Sequence, residues 1–81
     1  MAKKTVGLRD VGQFKLYEHR FPDKTEIFIS KRINAQKLMR VKVTRQVADY
    51  IKVLPHSVFA EECQQRIEGA KRAGSPNYFE S

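Results

Sequence analysis

The sequence contains no tryptophan and a single cysteine, Cys63. One thiol excludes a disulfide within the chain. With only two separated histidines, His19 and His56, it also offers no ligand pair at zinc spacing. No apolar run approaches the roughly 20 residues that cross a bilayer, so no membrane partner is expected. Lys3 and Lys4 are not followed by an apolar stretch, so no secretory signal is expected, and with the free thiol this points to the cytoplasm. Glycine is scarce as well, and none of the four forms a phosphate-cradling loop, so no cofactor is expected. The most informative absence is that of acid. From Ile27 to Ala48 there is no Asp or Glu, while Lys31, Arg32, Lys37, Arg40, Lys42 and Arg45 are all basic. These six side chains account for six of the seven net positive charges. Such a concentrated patch attracts polyanions and gains affinity from counterion release.

A chain of 81 residues makes one domain. At that length the core is small and stability marginal without a staple. With disulfide and metal set aside, association with a second copy is the remaining route, and a homodimer is expected. The hydrophobic fraction of 41% suits a folded domain and not a disordered one.

Residues 1–11 read as a polar arm. A β-hairpin is expected over 13–30, where Phe14–Phe21 partly alternates and Thr25–Ser30 is rich in strand formers. Pro22 and Asp23 supply the turn. A two-residue loop pairs Leu16 with Ile29, and a three-residue loop pairs Tyr17 with Ile29; both registers are open. After a basic connection over 31–37, Leu38–Thr44 alternates cleanly. Met39, Val41 and Val43 point one way and Arg40, Lys42 and Thr44 the other. Thr44 is placed to cap a short helix carrying Val47, Ile51 and Leu54, which ends before Pro55. Ser57 is the expected cap of a second helix with a stripe of Phe59, Cys63, Ile67 and Ala70, stopped by Gly74. Residues 75–81 read as a loose tail unless Tyr78 and Phe79 dock.

Catalytic residues are not expected. His56 and Cys63 lie about 10 Å apart along a helix, beyond hydrogen-bond reach, and Cys63 belongs to the apolar stripe. Glu61 and Glu62 diverge by about 100° around a helix, so they cannot act as an acid–base pair. His19 faces Glu26 in one hairpin register and reads as a surface residue.

The strand Leu38–Thr44, with Arg40, Lys42 and Thr44 on one face and two helices after it, resembles the ribbon-helix-helix family of DNA-binding regulators. The resemblance covers residues 38–73. It implies that two chains pair these strands into a ribbon lying in the major groove. Arg40, Lys42 and Thr44 then face the bases, and the second helix offers its first amides, near Ser57 and Val58, to a phosphate. The alternative α+β architecture is a three-stranded antiparallel sheet, the hairpin plus strand 38–44, covered on one face by both helices. Its core draws on Phe14, Leu16, Ile27, Ile29, Met39, Val41 and Val43 from the sheet and on Val47, Ile51, Phe59, Cys63 and Ile67 from the helices. In that arrangement strand 38–44 is an edge with one wet, basic face, which Tyr17 or Phe28 can join to stack unpaired bases.

The function expected is therefore regulation by binding nucleic acid, DNA ahead of RNA. Arg40, Lys42 and Thr44 serve as central contacts, and Lys31, Arg32, Lys37 and Arg45 grip phosphates. The other expectation is a small modulator of the kind phages and mobile elements encode, docking on a host protein such as a polymerase or nuclease through Tyr17, Phe28 or the tail.

Overall fold

The computed structural model describes residues 3–81. Two glycines in left-handed backbone punctuate its chain path. Gly12 has φ 58 at the first central position of the turn between β1 (Lys4–Val11) and β2 (Phe14–Arg20), and Gln13 stays at negative φ. This is the φ pattern of a type II′ hairpin, a position where glycine carries no Cβ penalty. Gly74 has φ 65 and closes the long helix as its C-cap.

β2 turns through Pro22 and Asp23 into β3 (Thr25–Arg32), with the Phe21 amide donating to the Lys24 carbonyl at 2.8 Å. The register is the two-residue one, with Leu16 opposite Ile29 and His19 opposite Glu26. Between β3 and β4 (Leu38–Val43), the Asn34 carboxamide oxygen accepts from the amides of Gln36 at 2.8 Å and Lys37 at 2.9 Å. That side chain substitutes for a backbone turn. Thr44 caps α1 (Arg45–Ile51), its hydroxyl accepting from the Val47 amide at 3.2 Å. α2 (His56–Ala73) starts directly after Pro55, which is its N-cap residue and gives no side-chain cap. Ser57 therefore lies inside the helix and is not the cap expected of it.

The chain ends in β5 (Tyr78–Glu80), which returns to pair with β4, and Leu38 and Ser81 exchange amide–carbonyl bonds at 3.0 Å. The sheet is thus five-stranded and antiparallel, in the order β1-β2-β3-β4-β5. The α+β layout agrees with expectation in its hairpin, third strand and two helices, but the sheet has two strands more than expected. The polar arm is β1 and the tail is β5. β4 lies between β3 and β5, so it is not an edge. Both its hydrogen-bonding edges are used within the chain, so the inter-chain ribbon implied by the family resemblance has no strand to form from here.

Both helices cover one face. Leu16, Ile27, Ile29, Met39 and Val41 meet Ala48, Ile51, Phe59, Cys63 and Ile67 there, and Phe14 and Val43 pack at the margin. Ala48, not Val47, supplies the first inward contact of α1. Within β1 the alternation breaks between Gly7 and Arg9 at a bulge. The extra residue turns Arg9 to the helix side, where its guanidinium lies 4.6 Å from the Phe59 ring centroid and donates to the Lys52 carbonyl at 2.9 Å. Among the described residues no helix is long and apolar enough to cross a membrane.

Candidate nucleic-acid interface

The period of two along each strand assigns a second set of residues to the face without helices. The registers align Thr5 with His19, Asp10 with Lys15, Tyr17 with Phe28, Phe28 with Lys42, Ser30 with Arg40, and Arg40 with Phe79. At the centre of this open face is an aromatic cluster. Tyr17 and Phe28 stack with centroids 5.7 Å apart, His19 lies 5.1 Å from Tyr17 and 5.3 Å from Phe28, and Phe79 meets Phe28 edge-on at 6.1 Å. The Arg40 guanidinium lies over two of the rings, 5.0 Å from the Phe28 centroid and 5.4 Å from that of Phe79.

Tyr17, Phe28 and His19 are buried although no helix covers them, because each long side chain lies across its neighbours. His19 is therefore not the surface residue the sequence suggests. Its Nδ1 is 3.0 Å from the Thr5 hydroxyl. Burial holds its pKa below the ordinary histidine value, and the positive charges of Lys3 and Arg40 push the same way against a weaker pull from Glu26. Phe79, in contrast, keeps 40% of its surface exposed.

The cations on this face differ in their commitments. Lys42 lies 3.3 Å from the Glu26 carboxylate, which the Lys42 hydrogen bond, aided by Lys24, holds below the usual carboxylate range. Among the described residues, Lys15, Arg32 and Arg40 have no carboxylate within 4.0 Å. Their charge remains available to an external anion.

The seven expected contact residues do not form one patch. Arg32, Arg40 and Lys42 share the open face. Lys31 has the opposite parity and donates to the Gln64 side chain at 2.7 Å on the helix side. Arg45 bonds the buried Glu18 at 3.1 Å, beside Arg20 at 2.5 Å. Burial pushes the Glu18 pKa up, but these two arginines together outweigh it and hold the carboxyl below its ordinary value. Thr44 lies just past β4 and is occupied as a helix cap. Lys37 lies at the β3–β4 turn, 3.9 Å from Glu80. Lys15 escaped sequence reasoning, although its alternation with Tyr17 and His19 already gave its face. Phe79, read from the sequence only as a tail aromatic able to dock, joins this face through its pairing with Arg40.

Cys63 is buried in the core, and desolvation, with Glu62 beside it, pushes its thiol up to about 12, so it stays protonated at neutral pH. No group of three His, Cys, Asp or Glu side chains is placed to hold a metal ion among those residues. No protein-family model, curated protein or solved structure matches this chain.

Proposed function

We propose that this protein binds single-stranded nucleic acid across the open face of its sheet. The observation that carries the reading is Arg40, a cation without an acidic partner among the described residues, held over Phe28 and the half-exposed Phe79. A guanidinium and a ring at one spot suit a base that stacks while its phosphate is neutralised. Lys42, Arg32 and Lys15 extend the positive surface on both sides.

Width favours an unpaired strand over a duplex. Five strands at about 4.8 Å spacing span roughly 19 Å, whereas the major groove is about 12 Å wide and admits a helix or a two-stranded ribbon. The duplex contact implied by a ribbon-helix-helix resemblance therefore gives way to stacking on a broad sheet. Regulation of gene expression through such binding fits the same surface.

Anisotropy titrations with fluorescent single strands and the matching duplex, over a range of salt, test the reading. Single strands are expected to bind at least about tenfold more tightly than duplex. Arg40→Ala with Lys42→Ala should remove two phosphate contacts and flatten the salt slope by about 1.4, at roughly 0.7 per contact. Equal duplex affinity, or a double variant that binds like the parent, overturns it.

The second reading, a modulator that docks on another protein, draws on the corner between α1 and α2. There Tyr50, Val53 and Val58 expose apolar surface, Val53 to 74%. Val53→Asp weakens partner capture on that reading and leaves strand binding unchanged.

A further inference from the structure

The open face is basic, yet two carboxylates share it. Of the acidic residues in the five strands, Asp10 and Glu26 have open-face parity, whereas Glu18 and Glu80 lie on the helix side. Glu26 stands where cations converge. The ammonium groups of Lys42 and Lys24 approach the same carboxylate oxygen, Oε2, at 3.3 and 3.5 Å. Glu18 and Glu80 also have two cations each, but take one on either oxygen.

A point at which two ammonium groups meet is a seat for an anion, and Glu26 is the chain's own anion in it. Lys42 first, and then Lys24, lower the pKa of the carboxyl against a desolvation that raises it, so the spot favours negative charge whatever group carries it. The pairs are also loose. Both lysines keep about half of their side-chain surface in water, and exposed pairs of this kind contribute little and exchange readily.

The seat adjoins the place where a base would stack. Lys42 stands opposite Phe28 in the β3–β4 ladder, and Phe28 lies under Arg40 and meets Phe79. Arg40 and Lys42 are two residues apart on β4, about 7 Å, a step comparable to that between successive phosphates of an extended strand. A phosphate oxygen brought to Lys42 takes the place of Oε2, because two anions cannot share it.

We propose that Lys24 and Lys42 form a phosphate seat for the bound strand, and that the Glu26 carboxylate fills this seat in the free protein and gives it up on binding. The inference rests on the single-strand reading above and adds to it a contact, Lys24, and a built-in competitor, Glu26. The competitor lowers affinity for every phosphate chain. A single strand recovers the loss by stacking a base at Phe79 and Arg40, which a polyanion without bases cannot do. Glu26 therefore keeps a basic face from being held by phosphate alone.

The test titrates a thymidine strand of about nine nucleotides, and inorganic polyphosphate, into the parent and its variants. Glu26→Gln is expected to bind the strand about fivefold more tightly than the parent, the scale of one unit charge at about 4 Å in water. Glu61→Gln makes the same change of net charge on the exposed side of α2 and should stay within about twofold. Polyphosphate should gain from Glu26→Gln as the strand does. Lys24→Ala should flatten the parent's salt slope by about 0.7 and, combined with Glu26→Gln, cancel most of the gain. Equal affinities for Glu26→Gln and Glu61→Gln, a gain confined to the strand, or an unchanged slope in Lys24→Ala overturn the seat and leave the single-strand reading standing. Failure of both the parent and Glu26→Gln to bind the strand removes both.

Discussion

The two faces of the sheet are buried to a similar degree at their centre but by different chemistry. On the helix side Leu16, Ile29, Phe59 and Ile67 lose all exposure against aliphatic neighbours from α1 and α2. On the open side Tyr17 and Phe28 come close to the same burial against each other, His19 and the stem and head of Arg40. The first layer is closed by elements of backbone and needs no side chain to move for its upkeep. The second is closed by long side chains that can swing aside. Burial on the helix side therefore rests on packed backbone elements, and on the open side it rests on side chains alone.

Substitutions at matched aromatic positions should break the symmetry most strongly. Phe59→Ala leaves a cavity under two helices and is expected to cost about 3–5 kcal/mol by denaturant unfolding. Phe79→Ala, at a half-exposed site, should cost less than about 1.5 kcal/mol while weakening strand binding. A domain of this size holds only about 4–12 kcal/mol in total, so the first variant is a severe lesion.

The buried carboxylate on the helix side gives the next contrast. Replacing Arg20 and Arg45 together with Ala strands Glu18, which is 1% exposed, and should cost about 3–5 kcal/mol. Glu18→Gln is expected to cost less, about 1–2 kcal/mol, because both arginines are half exposed and regain water. The depressed Glu18 pKa also fixes a sign. Its contribution is complete above the unfolded value near 4.5 and is lost as pH falls through the lower folded value. Unfolding curves in acid should show that loss in the parent and not in Glu18→Gln.

Gly69 sharpens the division between stability and binding. A Cβ built there meets nothing within 4 Å, so Gly69→Ala in the interior of α2 should stabilise by about 0.5–1 kcal/mol and leave strand affinity unchanged. His19 gives the smallest stability effect. Its folded pKa lies below 6.5, so its contribution is complete above that pH and declines as pH falls below it. His19→Gln should flatten the unfolding midpoint between about pH 7.5 and 5. A phosphate bound beside Arg40 favours the imidazolium, so affinity in the parent should rise over the same interval.

Much of the helix side was legible in the sequence because its signals are local. Pro22 and Asp23 favour a tight turn, Thr44 precedes a helical period, and Phe59, Cys63 and Ile67 mark a stripe that Gly74 ends. β1 was not legible, since its bulge interrupts the period of two and half its residues are polar. β5 has only three residues, and its strand character comes from β4, some 39 positions away from Phe79 to Arg40. Of the candidate site, Arg40 and Lys42 could be placed together from alternation alone. Joining Arg32 to them required the β3–β4 register, and the same alternation sends Lys31 to the other side. The burial of His19 depends on side chains from other strands and leaves no trace in its own segment.

The bulge in β1 has a consequence for how this chain can change length. Gly7 opposes Tyr17 and Arg9 opposes Leu16, so Leu8 is a residue the ladder does not count. Its loss joins two stretches already in step, and every other side chain of the strand keeps its face. A one-residue deletion between Arg9 and Val11 instead turns the stretch beyond it over, exchanging what faces the helices with what lies on the open face. In descent or in engineering, β1 can absorb the loss of one residue at that one joint, and the rest of the strand is locked to the frame in which both faces are written.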